Sequence, residues 1–140
     1  MTPAPSAADP WKRLDAWRSN TTSQCGEDGL IAHLLTLFPD TPKTCLEVGA
    51  GNGISLSNTN TLWSKLGWKA LLIEANDKRF TGLQANTAAF PGVVIEKAMI
   101  TPRGDRSLDG IAKRHNFPRE IGVMSLDIDS NDLEIFENLE

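Results

Sequence analysis

Four times in succession the chain passes from a short, nearly continuous apolar run to a stretch with helical spacing, and this alternation restricts the fold more than any other property of the sequence. The runs are Thr44–Val48 (TCLEV), Lys69–Glu74 (KALLIE), a third beginning at residues 93–95, and residues 121–128 (IGVMSLDI). They show little apolar/polar alternation, as expected of strands covered on both faces. Between and after them, residues 58–66 read as a helix with Leu62, Trp63 and Leu66 inward, stopped by Gly67. Residues 77–89 form the next, with Phe80 and Leu83 inward, followed by a short helix over 107–115 and a last one carrying Leu133, Phe136 and Leu139. Strand and helix alternating in this way imply an α/β fold, a Rossmann-like doubly wound parallel sheet joined by right-handed crossovers.

Ahead of the alternation lie a tail with Pro3, Pro5 and Pro10 and a short helix over residues 11–18 with Trp11, Leu14 and Trp17 at helical spacing. A second N-terminal helix has Leu30, Leu34 and Leu37 beside Ile31, Leu35 and Phe38 as its apolar face and ends at Pro39. The expected division is residues 1–20 as tail and helix and 21–140 as one domain, without repeat or linker. With 140 residues, 40% of them hydrophobic and 23% charged, the composition is globular and the core needs no disulfide or metal. Cys25 and Cys45 lack metal-ligand spacing with the two histidines and read as small buried hydrophobes. A formal net charge of −4 lacks the electrostatic footprint of a nucleic-acid binder. No signal-peptide core or membrane span is apparent, so a cytoplasmic location without membrane partners is expected.

The segment after the first strand, Glu47-Val48-Gly49-Ala50-Gly51-Asn52-Gly53, sits where open parallel sheets bind ligands. In a dinucleotide fingerprint the third glycine falls three residues after the second, but here that position is Ile54 and the glycine comes one residue early. An acid, Glu47, precedes the glycines, and a second acid, Glu74, ends the next strand 21 residues after Gly53, where a carboxylate can accept hydrogen bonds from the vicinal hydroxyls of a ribose.

Acid, G-x-G-x-G and an acid closing the second strand resemble the class I S-adenosylmethionine-dependent methyltransferases. Further blocks narrow the likeness: Ser23-Gln24 with Gly26-Glu27-Asp28-Gly29, Ser57-Asn58-Thr59, Gly67-Trp68, Leu71 to Ala75, and Ser125-Leu126-Asp127-Ile128-Asp129 with Asn131-Asp132. Together they resemble the FkbM-type methyltransferases over residues 23–139, with Ser130 and Leu133 as departures where such proteins commonly have glycine and an aromatic residue. The resemblance implies strand order 3-2-1-4 and S-adenosylmethionine as cofactor. It implies that Glu47 and the backbone of Gly49, Ala50, Gly51 and Gly53 hold its amino-acid part and Glu74 its ribose. Ala75 and Asn76 would follow at the crevice mouth, with Ala98 and Met99 lining the adenine.

Methyl transfer requires alignment of donor and acceptor and, for a hydroxyl acceptor, a place for its proton. Asp127, Asp129 and Asp132 cluster after the fourth strand. Asp127 and Asp129 are the candidate catalytic residues, while binding a cation or capping the last helix, with Asp129 or Ser130 as N-cap, are the alternatives. No metal site is assigned. Gln24, Glu27 and Asp28 either close over the cofactor or cap their own helix, and His33, His115, Trp63 and Trp68 read as structural.

The expected activity is O-methylation of a small-molecule or sugar hydroxyl. A catalytically inactive cofactor-binding module and a nucleotide-dependent oxidoreductase are the competing classes. By the resemblance, four strands are the donor-binding portion of a seven-stranded fold, so the chain is expected to be truncated, with self-association through the exposed edge of the fourth strand.

Overall fold

A computed structural model describes residues 10–140 and their side chains from Arg13 onward. The expected N-terminal tail, up to Asp9, and the side chain of Trp11 lie outside the described residues. Pro10–Trp17 is a 3-10 helix, followed by α1 (Glu27–Leu37), β1 (Thr44–Val48), α2 (Asn60–Ser64), β2 (Lys69–Glu74) and α3 (Asp77–Thr87). The chain continues through β3 (Val93–Lys97), α4 (Leu108–Arg114), β4 (Val123–Leu126) and α5 (Asp132–Glu137). The four strands form one parallel sheet in the order β3-β2-β1-β4, a Rossmann-like α/β arrangement.

The apolar runs are explained by position in the sheet. Every residue of β1 is buried, as is all of β2 after Lys69, because these central strands carry helices on both faces. Successive side chains point to opposite faces, which divides the core in two. Leu46, Val48, Leu71 and Ile73 pack with Ile111 of α4 and Ile135 of α5; Cys45, Ala70 and Leu72 pack with Leu62 and Trp63 of α2, Leu83 of α3, and the half-buried Ile31 and Leu35 of α1. Strands β3 and β4 are only half-buried, and among the described residues neither outer edge has a partner strand.

Three faces differ from the sequence expectation. Leu66 is 58% exposed rather than inward, because α2 ends at Ser64 and the chain turns through Gly67 at φ +69°. In α5 the buried residue is Ile135, at 2% exposure, while Leu133 and Phe136 are 68% and 58% exposed. Ile135 and Leu139, four apart, make the inward face instead of the 133/136/139 spacing. Cys25 is exposed in the turn before α1, whereas Cys45 is buried, and burial followed by the nearby Glu47 pushes its thiol up to about 12. Trp63 and Trp68 are core residues, as expected. His33 stacks on Trp17 with ring centroids 4.0 Å apart, and His115 ends α4 with its Nε2 2.8 Å from Glu96 of β3. No helix among the described residues is long and apolar enough to cross a membrane.

Candidate functional site

The carboxyl ends of β1, β2 and β4 meet at the glycine loop. Gly49 leaves β1 at φ +79°, and a Cβ there would lie 2.3 Å from the carbonyl oxygen of Asp127, so its hydrogen is what lets the end of β4 close against β1. Gly53 lies against Leu83 and Trp63, a close contact between loop and helices. Gly51, at φ +59°, differs: the nearest atom to an added Cβ is the Ser55 carbonyl oxygen at 3.7 Å, and the space beyond is open.

The loop's own donors are largely committed. The N–H groups of Gly49 and Ala50 both donate to the Ile73 carbonyl at 3.0 Å, and that of Gly53 donates to the Ala50 carbonyl at 2.9 Å. Gly51 N–H donates to Glu74 Oε2 at 2.7 Å, and Asn52 Oδ1 accepts from the N–H groups of Ile54 and Ser55. A pyrophosphate cradle needs several convergent free N–H groups. This loop instead presents a carboxylate: Glu74, 5% exposed, whose second oxygen accepts from Asn76 N–H at 2.8 Å.

Glu47 acts on the loop. Its Oε2 accepts from the Ser57 and Thr59 hydroxyls and its Oε1 from Asn58 N–H, each at 2.7 Å, and the residue is 2% exposed. The side chain therefore pins residues 57–59 to the end of β1. Burial raises its pKa above the ordinary carboxyl value, outweighing the lowering effect of those hydrogen bonds. The folded state thus binds the proton more tightly than the unfolded chain. The resulting stabilisation is present below the unfolded pKa and is lost as pH rises through the folded one. Glu47→Gln is expected to fold and to lose this dependence, whereas Glu47→Ala leaves three donors without their acceptor at about 1–3 kcal/mol each. Urea unfolding of both variants across mildly acidic pH measures this; a wild-type slope retained in Glu47→Gln would assign it elsewhere.

The remaining expected site residues divide. Ala75 and Asn76 are exposed at the crevice mouth, and Asn76 caps α3 by accepting from Arg79 N–H at 3.0 Å. Ala50 is buried, so only its backbone is near the loop surface. Ala98 donates its N–H to the Glu74 carbonyl at 3.2 Å and packs its side chain into the core, while Met99 is 70% exposed. Asp127 is exposed beside Gly49, its N–H extending the β1–β4 ladder to the Val48 carbonyl. Asp129 is exposed at φ +56°. Asp132 accepts from Ile128 N–H at 2.9 Å and Ser130 N–H at 3.3 Å, holding the turn into α5. The N-cap of α5 is Asn131, so Asp129 and Ser130 do not fill the expected capping position. Among the described residues no group of three His, Cys, Asp or Glu side chains is arranged to hold a metal ion.

Of the acids before α1, Asp28 is a turn organiser. Its Oδ2 accepts from the N–H groups of Thr21, Thr22 and Ser23 at 2.7–2.8 Å. Partial burial works against its charge, but those bonds together with the Ser23 hydroxyl outweigh it and lower its pKa. Glu27 accepts from Cys25 N–H at 2.7 Å, and Gln24 is exposed. Thr22 ties this turn to the site by donating to the Ser57 carbonyl at 3.0 Å.

Sequence reasoning missed Ser57, Asn58 and Thr59 as partners of Glu47, and Ser125, whose Oγ accepts from Asn58 Nδ2 at 2.9 Å. The available signal was a run of three short polar residues just before a helix, which reads equally well as a cap. The chain matches no family model, no curated protein and no solved structure with which it was compared.

Proposed function

We propose that the chain binds S-adenosylmethionine at the carboxyl ends of β1 and β2 and transfers its methyl group to the hydroxyl of a small-molecule acceptor, as an FkbM-type methyltransferase. The observation that carries the reading is the junction of Gly51 and Glu74. A buried carboxylate is held at the end of β2 by two backbone N–H groups, beside a glycine whose missing side chain leaves open space. An ionised carboxylate has about four lone-pair sites, and two are used here, leaving capacity for the paired hydroxyls of a ribose. The committed N–H groups of the loop argue against the dinucleotide alternative, which needs them for its phosphates.

The cofactor supplies a methyl group activated by a sulfonium. The protein's task is alignment and proton management: Glu47 rigidifies the loop, Glu74 anchors the ribose, and Asp127, beside the loop at the end of β4, receives the acceptor hydroxyl's proton. A cytoplasmic setting accords with two cysteines that remain free thiols.

Calorimetric titration with S-adenosylmethionine and with its demethylated product is expected to show saturable binding of both. No heat of binding at millimolar ligand would overturn the reading, and binding without transfer of labelled methyl to any hydroxyl acceptor would leave a cofactor-binding module.

A further inference from the structure

Beside the cofactor crevice, a groove of about 580 Å³ runs between α1 and the outer edge of β4. Its volume falls within the range of ligand clefts, about 300–1,000 Å³. Its walls are graded in polarity. Leu30, Leu34 and Phe38 line it along α1, facing Val123 and Met124 of β4. Glu27, Asn58 and Ser125 gather where α1 begins and β4 ends. From Glu27 to Phe38 the helix advances about 16 Å, so the groove is long and narrow, with one polar end.

That polar end adjoins the crevice. Ser125 lies opposite Glu47 in the β1–β4 register, and Asn58, which donates to Ser125 Oγ, also donates its backbone N–H to Glu47. With its oxygen occupied as an acceptor, the Ser125 hydroxyl is free to donate. Among the described residues nothing donates to Asn58 Oδ1, which leaves it free to accept. One donor and one acceptor side by side match a single ligand hydroxyl. Strand alternation puts Asp127 on the same face as Ser125, about 7 Å further along.

The geometry points to an elongated amphiphile as the groove's ligand: an apolar chain or ring system seated along α1 and β4, with its hydroxyl between Asn58 and Ser125 and facing Asp127. This rests on the methyltransferase reading for its consequence, that the methyl acceptor is such an alcohol and not a free sugar. The groove itself is tested without the cofactor.

Linear primary alcohols from hexanol to dodecanol, titrated into the cofactor-free chain by calorimetry, are expected to bind saturably. Affinity should rise by roughly fourfold per methylene and level off once the chain outgrows the groove. Leu34→Trp and Leu30→Trp, both on the half-buried face of α1, should each weaken decanol at least tenfold with unchanged circular dichroism. Ser125→Ala should weaken decanol while leaving decane, which has no oxygen to accept from Ser125, unaffected. Non-saturable binding, saturable binding indifferent to both tryptophans, or sedimentation showing that decanol dissociates a pair of chains would overturn the inference; the last would make a second copy the occupant. Methyl transfer to sugars alone would overturn it and leave the activity standing. Alcohol binding in a chain that fails to bind S-adenosylmethionine would support the groove and sink the activity.

Discussion

Gly49→Ala is expected to lower the thermal midpoint by on the order of 10 °C, whereas Gly51→Ala, two residues away, should lower it by about half as much and remove ligand binding. Both positions have positive φ, so both substitutions carry the left-handed penalty of about 1–2 kcal/mol for an L-residue. What separates them is space. At position 49 the new methyl would sit 2.3 Å from a backbone oxygen of Asp127, and relief requires parting β4 from β1, which adds an overpacking cost of about 1–3 kcal/mol. At position 51 nothing lies closer than 3.7 Å, so the methyl occupies the opening left for a ligand. Thermal scans and calorimetry on the two proteins read the two effects independently. Equal destabilisation with equal loss of binding would mean that the opening at Gly51 is only a feature of the turn.

Glu74→Ala should weaken S-adenosylmethionine by a factor of about 10–100, the consequence of losing charge-assisted hydrogen bonds to the ribose at about 1.5–3 kcal/mol. The N–H groups of Gly51 and Asn76 also lose their acceptor, so part of the loss comes through a loosened loop. Glu74→Gln separates the contributions. It retains a carbonyl oxygen for one N–H and removes the charge, and is expected to fall between wild type and alanine in affinity while folding normally. An affinity for Glu74→Ala indistinguishable from wild type would place the ligand away from β2 and refute the assignment.

The acids of the site respond to pH in opposite senses. Asp28 has a depressed pKa, so its stabilising contribution is present above the unfolded value and is lost as pH falls through the folded one. Glu47, with a raised pKa, contributes most in acid and less as pH rises. In a Glu47→Gln background the depressed carboxylates, Asp28 and the Glu96 paired with His115 and Arg114, should dominate, and stability should decline toward acid.

The legibility of this fold in its sequence follows the range of the interactions involved. Strands β1 and β2 are found where the apolar runs place them because a segment buried on both faces must be apolar throughout. The expected fourth strand, by contrast, shrinks from residues 121–128 to Val123–Leu126, since only those residues pair with β1 as a strand. Helix α5 presents Ile135 inward because the turn held by Asp132 sets its rotation, a tertiary matter that spacing among Leu133, Phe136 and Leu139 does not encode. The glycines and acids of the candidate site do meet at the strand ends, as their spacing implies, yet the different surroundings of the two similar carboxylates were not legible there. Glu47 is enclosed by Ser57–Thr59, and Glu74 faces the loop from the next strand.

The sequence alone determined the order of elements, the parallel α/β class and the strand ends at which the glycines and acids collect, because periodicity and glycine punctuation act over a few residues and require no knowledge of distant partners. The tertiary structure alone decided which glycine packs and which leaves room, which acid is enclosed by residues 57–59 and which holds Gly51 and Asn76 from the end of β2, and that α1 and β4 enclose a groove. Each of those outcomes is a distance between residues far apart in the chain, set when β1 takes its place between β2 and β4.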